Sequence, residues 1–195
     1  MRNLRLRTIR SQSFYLYTKI TVSKLKNEVF QKNLKGLNSY FFRFCYNSKE
    51  VYAMKKIVFV CLGNICRSPM AEFVMKDLTD DVYVESRATS DWEHGNPIHS
   101  GTQAIFKKYA IPYDKSKTSQ QISQQDFVDF DYIIGMDKSN FQDLRKIAPG
   151  KYLEKVFQFE ERSVPDPWYT GDFDETYRLI LAGCQKWIER VKSED

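Results

Sequence analysis

Apolar residues follow no helical or strand period along residues 1–53, where the stretch 13–22 mixes aromatic and β-branched residues with Lys19. From Met54 onward the pattern resolves. Residues 56–61, Lys-Ile-Val-Phe-Val-Cys, form a short apolar, β-branched run, as in a strand buried on both faces. Ser68 and Pro69 then open a helix, with the serine as cap and the proline preset for the first turn. Its apolar stripe is Met70, Phe73, Val74 and Leu78. A second strand is predicted over 82–86, a helix capped by Ser100 over 101–110, and a short helix over 123–130. A third strand over 132–136, a helix over 139–147 and a fourth strand over 155–159 follow. Asp172, with Glu175 three residues on, gives the last helix a capping box. Phe173, Tyr177, Ile180, Leu181, Cys184, Trp187, Ile188 and Val191 repeat along that helix at helical spacing. Strands alternating with helices imply an α/β fold, a parallel sheet covered on both faces. Such sheets bind ligands at the carboxyl ends of the strands, where strand order reverses.

Charge divides at the same place. Residues 1–53 carry eleven Lys/Arg against Glu28 and Glu50, a balance of +9, whereas the other 142 residues carry 19 basic and 23 acidic side chains, a balance of −4. The net +5 of the 195-residue chain therefore says little about residues 54–195, which form the predicted folded domain. The plainest reading of 1–53 is an upstream extension of a chain whose translation normally starts at Met54; a mitochondrial presequence and a basic arm for nucleic acid or anionic lipid are the others. The longest obvious apolar run, 57–63, falls far short of the roughly 18–20 residues that span a bilayer, so no membrane partner is expected. Four scattered cysteines and no secretory pattern point to a reducing, cytoplasmic setting.

The chemistry concentrates in Cys61-Leu62-Gly63-Asn64-Ile65-Cys66-Arg67-Ser68-Pro69. A cysteine six residues before an arginine is weak alone, but here the cysteine ends a buried strand and the arginine stands at a helix entrance. Successive amides of a tight loop and a helix N-terminus together cradle an oxyanion. Gly63 and Asn64 tolerate left-handed backbone, and Arg67 presents a planar fork to two phosphate oxygens. That positive field favours the thiolate of Cys61, the nucleophilic form, and the Ser68 hydroxyl is placed to donate to the sulfur. Asp166, held in extended backbone between Pro165 and Pro167, is the candidate general acid, with aromatic neighbours expected to desolvate it. Bland readings remain beside these: an inert core Cys61, a redox pair Cys61–Cys66, and an ordinary Pro-Asp turn. A metal site is disfavoured because His94 and His99 are the only histidines, and a nucleotide loop because the Gly-Lys-Ser/Thr ending is missing.

Over nearly all of 54–191 the chain resembles the low-molecular-weight protein tyrosine phosphatases, through CLGNICRSP at 61–69, ATS at 88–90, GNP at 95–97, FDYI and MD.SN within 130–140, and DPWY at 166–169. The resemblance implies a three-layer sandwich on a four-stranded parallel sheet, with flavodoxin-like, phosphotyrosine phosphatase I topology. It implies a phosphocysteine intermediate on Cys61, a phosphate clamp of Arg67 and the loop 62–66, and Asp166 as acid and then base. Asn64, Ser68 and Ser86 match the polar network that shapes the loop; Trp92, Trp168 and Tyr169 match the cleft walls, with Glu93 at the rim. Cys66 matches a second loop cysteine that can trap the nucleophile as a disulfide. Phosphotyrosine proteins are the expected substrates and phosphate-like oxyanions the expected inhibitors, with no cofactor, metal or nucleic acid, and a monomer or weak dimer. Lys115, Lys117, Gln120 and Gln121 stand where animal members often have a histidine and an arginine, which leaves the outer polar network open.

Other functions compete. Arsenate reductases of the same fold need two further relay cysteines, and residues 67–183 hold none. Protein arginine phosphatases carry threonine where Ile65 stands, and an apolar Ile65 favours an aryl ring. A non-catalytic phosphate-binding or redox-sensing module needs no acid, against the presence of Asp166.

Overall fold

The structure, a computed structural model, describes residues 54–194; the expectations for 1–53 lie outside the described residues. Strand β1 (Lys56–Cys61) leads through helix α1 (Arg67–Leu78) to β2 (Tyr83–Ala88). Helices α2 (Ser100–Lys108) and α3 (Gln124–Asp129) precede β3 (Tyr132–Gly135), and α4 (Lys138–Ile147) with a 3-10 turn (Gly150–Lys155) precedes β4 (Val156–Gln158). A one-turn helix α5 (Pro167–Thr170) and the 21-residue α6 (Phe173–Ser193) end the domain.

The strands lie in the order β2-β1-β3-β4, and every pairing is parallel. β1 is central, and Ile57 to Cys61 are buried. Because successive side chains of a strand face opposite ways, β1 feeds two cores. Ile57, Phe59 and Cys61 join Met70 and Val74 of α1, Phe106 of α2 and Ile180 and Trp187 of α6. Val58 and Val60 join Phe127 of α3, Leu144 of α4 and Val156. The result is three layers, with α1, α2 and α6 on one face and α3 and α4 on the other. Close packing on the second face depends on Gly135, where a Cβ would stand 2.7 Å from the backbone nitrogen of Phe141. The chain leaves β1 toward β2 and later crosses back to β3, so the strand order reverses beside the carboxyl end of β1. Cys61 stands there, Asp137 follows β3, and Asp166 lies in the connection after β4.

The first strand falls at 56–61 as expected and the third ends one residue early, while the other two differ by one or two residues at their ends. β2 runs on to Ala88, and β4 is shorter than 155–159 because Lys155 ends the 3-10 turn, whose pattern carries no period of its own. Helix α1 starts at Arg67 with Cys66 at its N-cap and no capping side chain, in place of the expected Ser68 cap. The Ser68 hydroxyl is occupied by Cys61 and Asn64 instead. His99 rather than Ser100 caps α2, its Nδ1 accepting from the Gly101 N–H at 3.1 Å. Asp172 caps α6, but the Glu175 carboxylate turns to Arg178 and leaves the box half made. A complete capping box occurs at Ser123 and Asp126, on α3.

Candidate active site

The loop after β1 is shaped from outside. Its carbonyls are taken by neighbouring segments: Leu62 O by Ser90 Oγ at 2.9 Å, Gly63 O by Ser119 Oγ at 2.8 Å, Ile65 O by the His99 N–H at 2.9 Å, and Cys66 O by Thr102 Oγ1 at 3.3 Å. Asn64 adopts a left-handed φ of 53°, a conformation asparagine tolerates better than most residues. Its buried side chain is partnered at both ends. Nδ2 donates to Ser68 Oγ (2.9 Å) and Ser86 Oγ (2.8 Å), and Oδ1 accepts from the Gln120 N–H (3.2 Å). Cys61 Sγ lies 3.1 Å from Ser68 Oγ and accepts from the Asn64 N–H at 3.3 Å. Asn64 and Ser68 are thus buried behind the loop and, unlike Cys61, Leu62, Gly63, Ile65 and Cys66, do not line the pocket.

Arg67, 3% exposed, is gripped by two acids. Nη1 donates to Asp137 Oδ2 and Nη2 to Asp166 Oδ2, each at 2.5 Å. Burial on its own would weaken the guanidinium charge, but Cys61, Asp166 and Asp137 more than offset it and hold its pKa above the ordinary arginine value. Its buried Nε finds no acceptor among the described residues. Asp166 caps α5, Oδ1 accepting from the Trp168 N–H at 3.1 Å. The carboxylate expected to be desolvated by aromatics is therefore ion-paired to Arg67, while the aromatic rings turn outward. Trp168 is 55% exposed and Tyr169 78%.

These groups converge on a pocket of about 130 Å³ lined by Cys61, Leu62, Gly63, Ile65, Cys66, Ser90, Trp92, Glu93, Asp166, Trp168 and Tyr169. His99 braces one wall, its ring stacked on Phe173 (5.2 Å) and edge-on to Trp168 (5.5 Å). The Cys66 thiol is pushed up to about 12 by burial, with the neighbouring Cys61 and Asp166 adding to the effect, so it stays protonated at neutral pH. No group of three His, Cys, Asp or Glu is placed to hold a metal ion among the described residues.

The outer network left open by the sequence is closed by lysine. Lys117 reaches Glu72 at 3.1 Å and the Ser86 carbonyl at 3.2 Å. Sequence reasoning missed Glu72, Asp137 and the pinning residues Ser119 and Thr102. Asp137 carried a usable signal, an acid directly after a buried strand. Glu72 carried none, since a charged residue on a helix reads as solvated.

The family model for low molecular weight phosphotyrosine protein phosphatase matches residues 56–195. The chain belongs to this family. It is 41% identical over 154 residues to a low molecular weight protein-tyrosine-phosphatase of Bacillus subtilis, covering 72% of this chain and 98% of that one. Among solved structures, a low molecular weight phosphatase of Streptococcus pyogenes shares 60% identity with a TM-score of 0.69, over 70% of this chain and 93% of its own. An arginine phosphatase of Drosophila shares 32% identity with a TM-score of 0.64, over 72% of this chain and 99% of its own. The phosphatase is built on a four-stranded parallel sheet. No helix among the described residues is long and apolar enough to cross a membrane.

Proposed function

We propose that this phosphatase hydrolyses phosphotyrosine in proteins through a phosphocysteine on Cys61. The observation that carries the reading is that Cys61 and Asp166 line one pocket, with the buried Arg67 fork ion-paired to the acid. The loop carbonyls point to outside partners and the Asn64 N–H goes to Cys61 Sγ, which leaves the other loop amides for an anion, and the unpartnered Arg67 Nε needs the acceptor that a phosphate oxygen supplies. A phosphate seated there competes with Asp166 for Arg67 and frees the carboxyl group for proton transfer. Cys61 sulfur attacks phosphorus, the P–O bond to tyrosine breaks, and Asp166 gives its proton to the departing phenolic oxygen. Asp166 then takes a proton from water, whose oxygen attacks phosphorus as the S–P bond breaks, releasing inorganic phosphate and the cysteine. Arg67 and the loop amides stabilise the equatorial oxygens, where charge builds up.

Trp92, Trp168 and Tyr169 supply walls for an aryl ring. Ile65, 8% exposed and lining the same pocket, favours that ring over the guanidinium of phosphoarginine. Phosphate-like oxyanions are competitive inhibitors on this reading, and three free cysteines among the described residues suit a reducing compartment such as the cytoplasm. The test is rapid acid quench of the enzyme with a ³²P-phosphotyrosine peptide and, in parallel, a phosphoarginine peptide. A labelled cysteine in wild type, absent in Cys61→Ser, with turnover favouring the tyrosine peptide, is expected. Absence of label, or preference for phosphoarginine, refutes the assignment.

A further inference from the structure

Glu72 takes no part in the chemistry above, yet its carboxylate is almost wholly buried within the first core layer. A carboxylate in such a place needs compensation, and it has three partners. Ser86 Oγ donates to Oε2 at 2.6 Å, Lys117 Nζ lies 3.1 Å from the same oxygen, and Lys76 Nζ lies 2.5 Å from Oε1. We propose that Glu72, held by Lys117, is a positioning residue that sets the direction of the hydrogen-bond chain ending on Cys61. The proposal rests on the reading of Cys61 as nucleophile.

An ionised carboxylate only accepts, so the single hydroxyl proton of Ser86 goes to Glu72. Ser86 Oγ must then accept from its other partner, which obliges Asn64 to present Nδ2. The opposite end of that amide agrees, because Oδ1 receives the Gln120 N–H. Nδ2 also donates to Ser68, whose own proton is left for Cys61 Sγ at 3.1 Å or the Arg87 carbonyl at 3.2 Å. An anionic sulfur is the stronger acceptor of the two. Without the carboxylate, Ser86 is free to donate to a reversed Asn64 amide. Ser68 would then do the same, and its proton would leave the sulfur. Lys117 belongs to the segment 111–122 that supplies Gln120, so one ion pair fixes both ends of the Asn64 amide. The charged or titratable groups facing Glu72 are Lys76, Lys117 and, further out, Tyr83. Those facing Cys61 are Arg67 and Cys66, with Asp166 and Glu93 lining the same pocket.

The decisive variant is the double Glu72→Met/Lys117→Met, because removing both members of a buried pair is tolerated far better than stranding one. Alkylation of Cys61 by iodoacetamide is followed against pH by mass spectrometry, beside kcat and KM for an aryl phosphate. In the double variant, the midpoint of alkylation is expected at higher pH and kcat about 10-fold lower, with KM within about twofold of wild type. Glu72→Gln, whose amide oxygen still accepts from Ser86, is expected to keep kcat within about threefold of wild type. A folded double variant with the wild-type alkylation profile and kcat overturns the proposal. Should the double variant not fold, Ser86→Ala decides: the same upward move supports the chain of donors, and an unchanged profile overturns it. Alkylation needs no turnover, so a shifted profile in a protein inactive on every phosphoester would sink the functional reading and leave this inference standing.

Discussion

The loop 61–67 and the segment 166–171 face each other across one pocket but are built in opposite ways. In the first, most polar groups are tied inward: four carbonyls have outside donors, both ends of the Asn64 amide are partnered, and Arg67 is gripped twice, with its Nε alone left over among these groups. In the second, a one-turn helix capped by Asp166, the proposed acid, carries two aromatic rings more than half exposed. The contrast follows from the tasks. Stabilising a developing charge needs donors fixed before reaction, since reorganising them during it wastes the gain. Recognising a ring at a protein surface needs apolar area that a partner can cover.

Cutting the buried side should therefore strike kcat, and the largest effect is expected from Cys61→Ser. Its turnover of an aryl phosphate should fall by about 10⁴-fold or more, with phosphate binding retained in calorimetry. Next comes Asp166→Asn, where an ion pair with Arg67 joins the two regions. A loss of about 10²–10⁴ in kcat is expected, greater for phenyl phosphate than for p-nitrophenyl phosphate, whose leaving group needs less help from an acid. Equal losses on both substrates would remove Asp166 from the proton transfer.

On the exposed side, Trp168→Ala should raise KM for a phosphotyrosine peptide by about 5–10-fold and leave kcat within about threefold, as steady-state kinetics will show. A drop in kcat with KM unchanged would mean that the wall also shapes the acid. The smallest effect concerns pH. The Cys66 thiol titrates near 9.0 when unfolded and about 12 when folded, so the folded chain holds its proton while the unfolded chain loses it. Its contribution to stability is intact below pH 9 and is lost as pH rises toward 12. Thermal melts between pH 8 and 11 should decline less steeply for Cys66→Ala than for wild type.

The sheet and the place of the loop 61–67 at the pocket were legible because their signals are local. A doubly buried strand reads as an unbroken apolar run, and the loop that follows it keeps glycine, asparagine and arginine within six residues. What escaped were partners distant in sequence. Asp137 lies 70 residues from Arg67, and Ser119 lies 56 from Gly63, with no periodic mark on either. The Ser68 cap failed for a related reason, since a hydroxyl that looks like a helix cap was claimed by a sulfur the strand had brought close. Lys117 shows the limit from the other side. Where a histidine was missing from an expected pattern, the pair with Glu72 became visible only once α1 and the segment 111–122 were placed together.

One separation has a consequence for the cell's assembly of this molecule. Cys61 and Arg67 are six residues apart, but Asp166 is 105 residues beyond Cys61. At about 5–20 residues per second, a ribosome releases the cysteine roughly 5–20 s before the aspartate. During that interval the nascent chain displays a thiol and an arginine but no acid, so the growing polypeptide meets phosphate and oxidants before it is an enzyme.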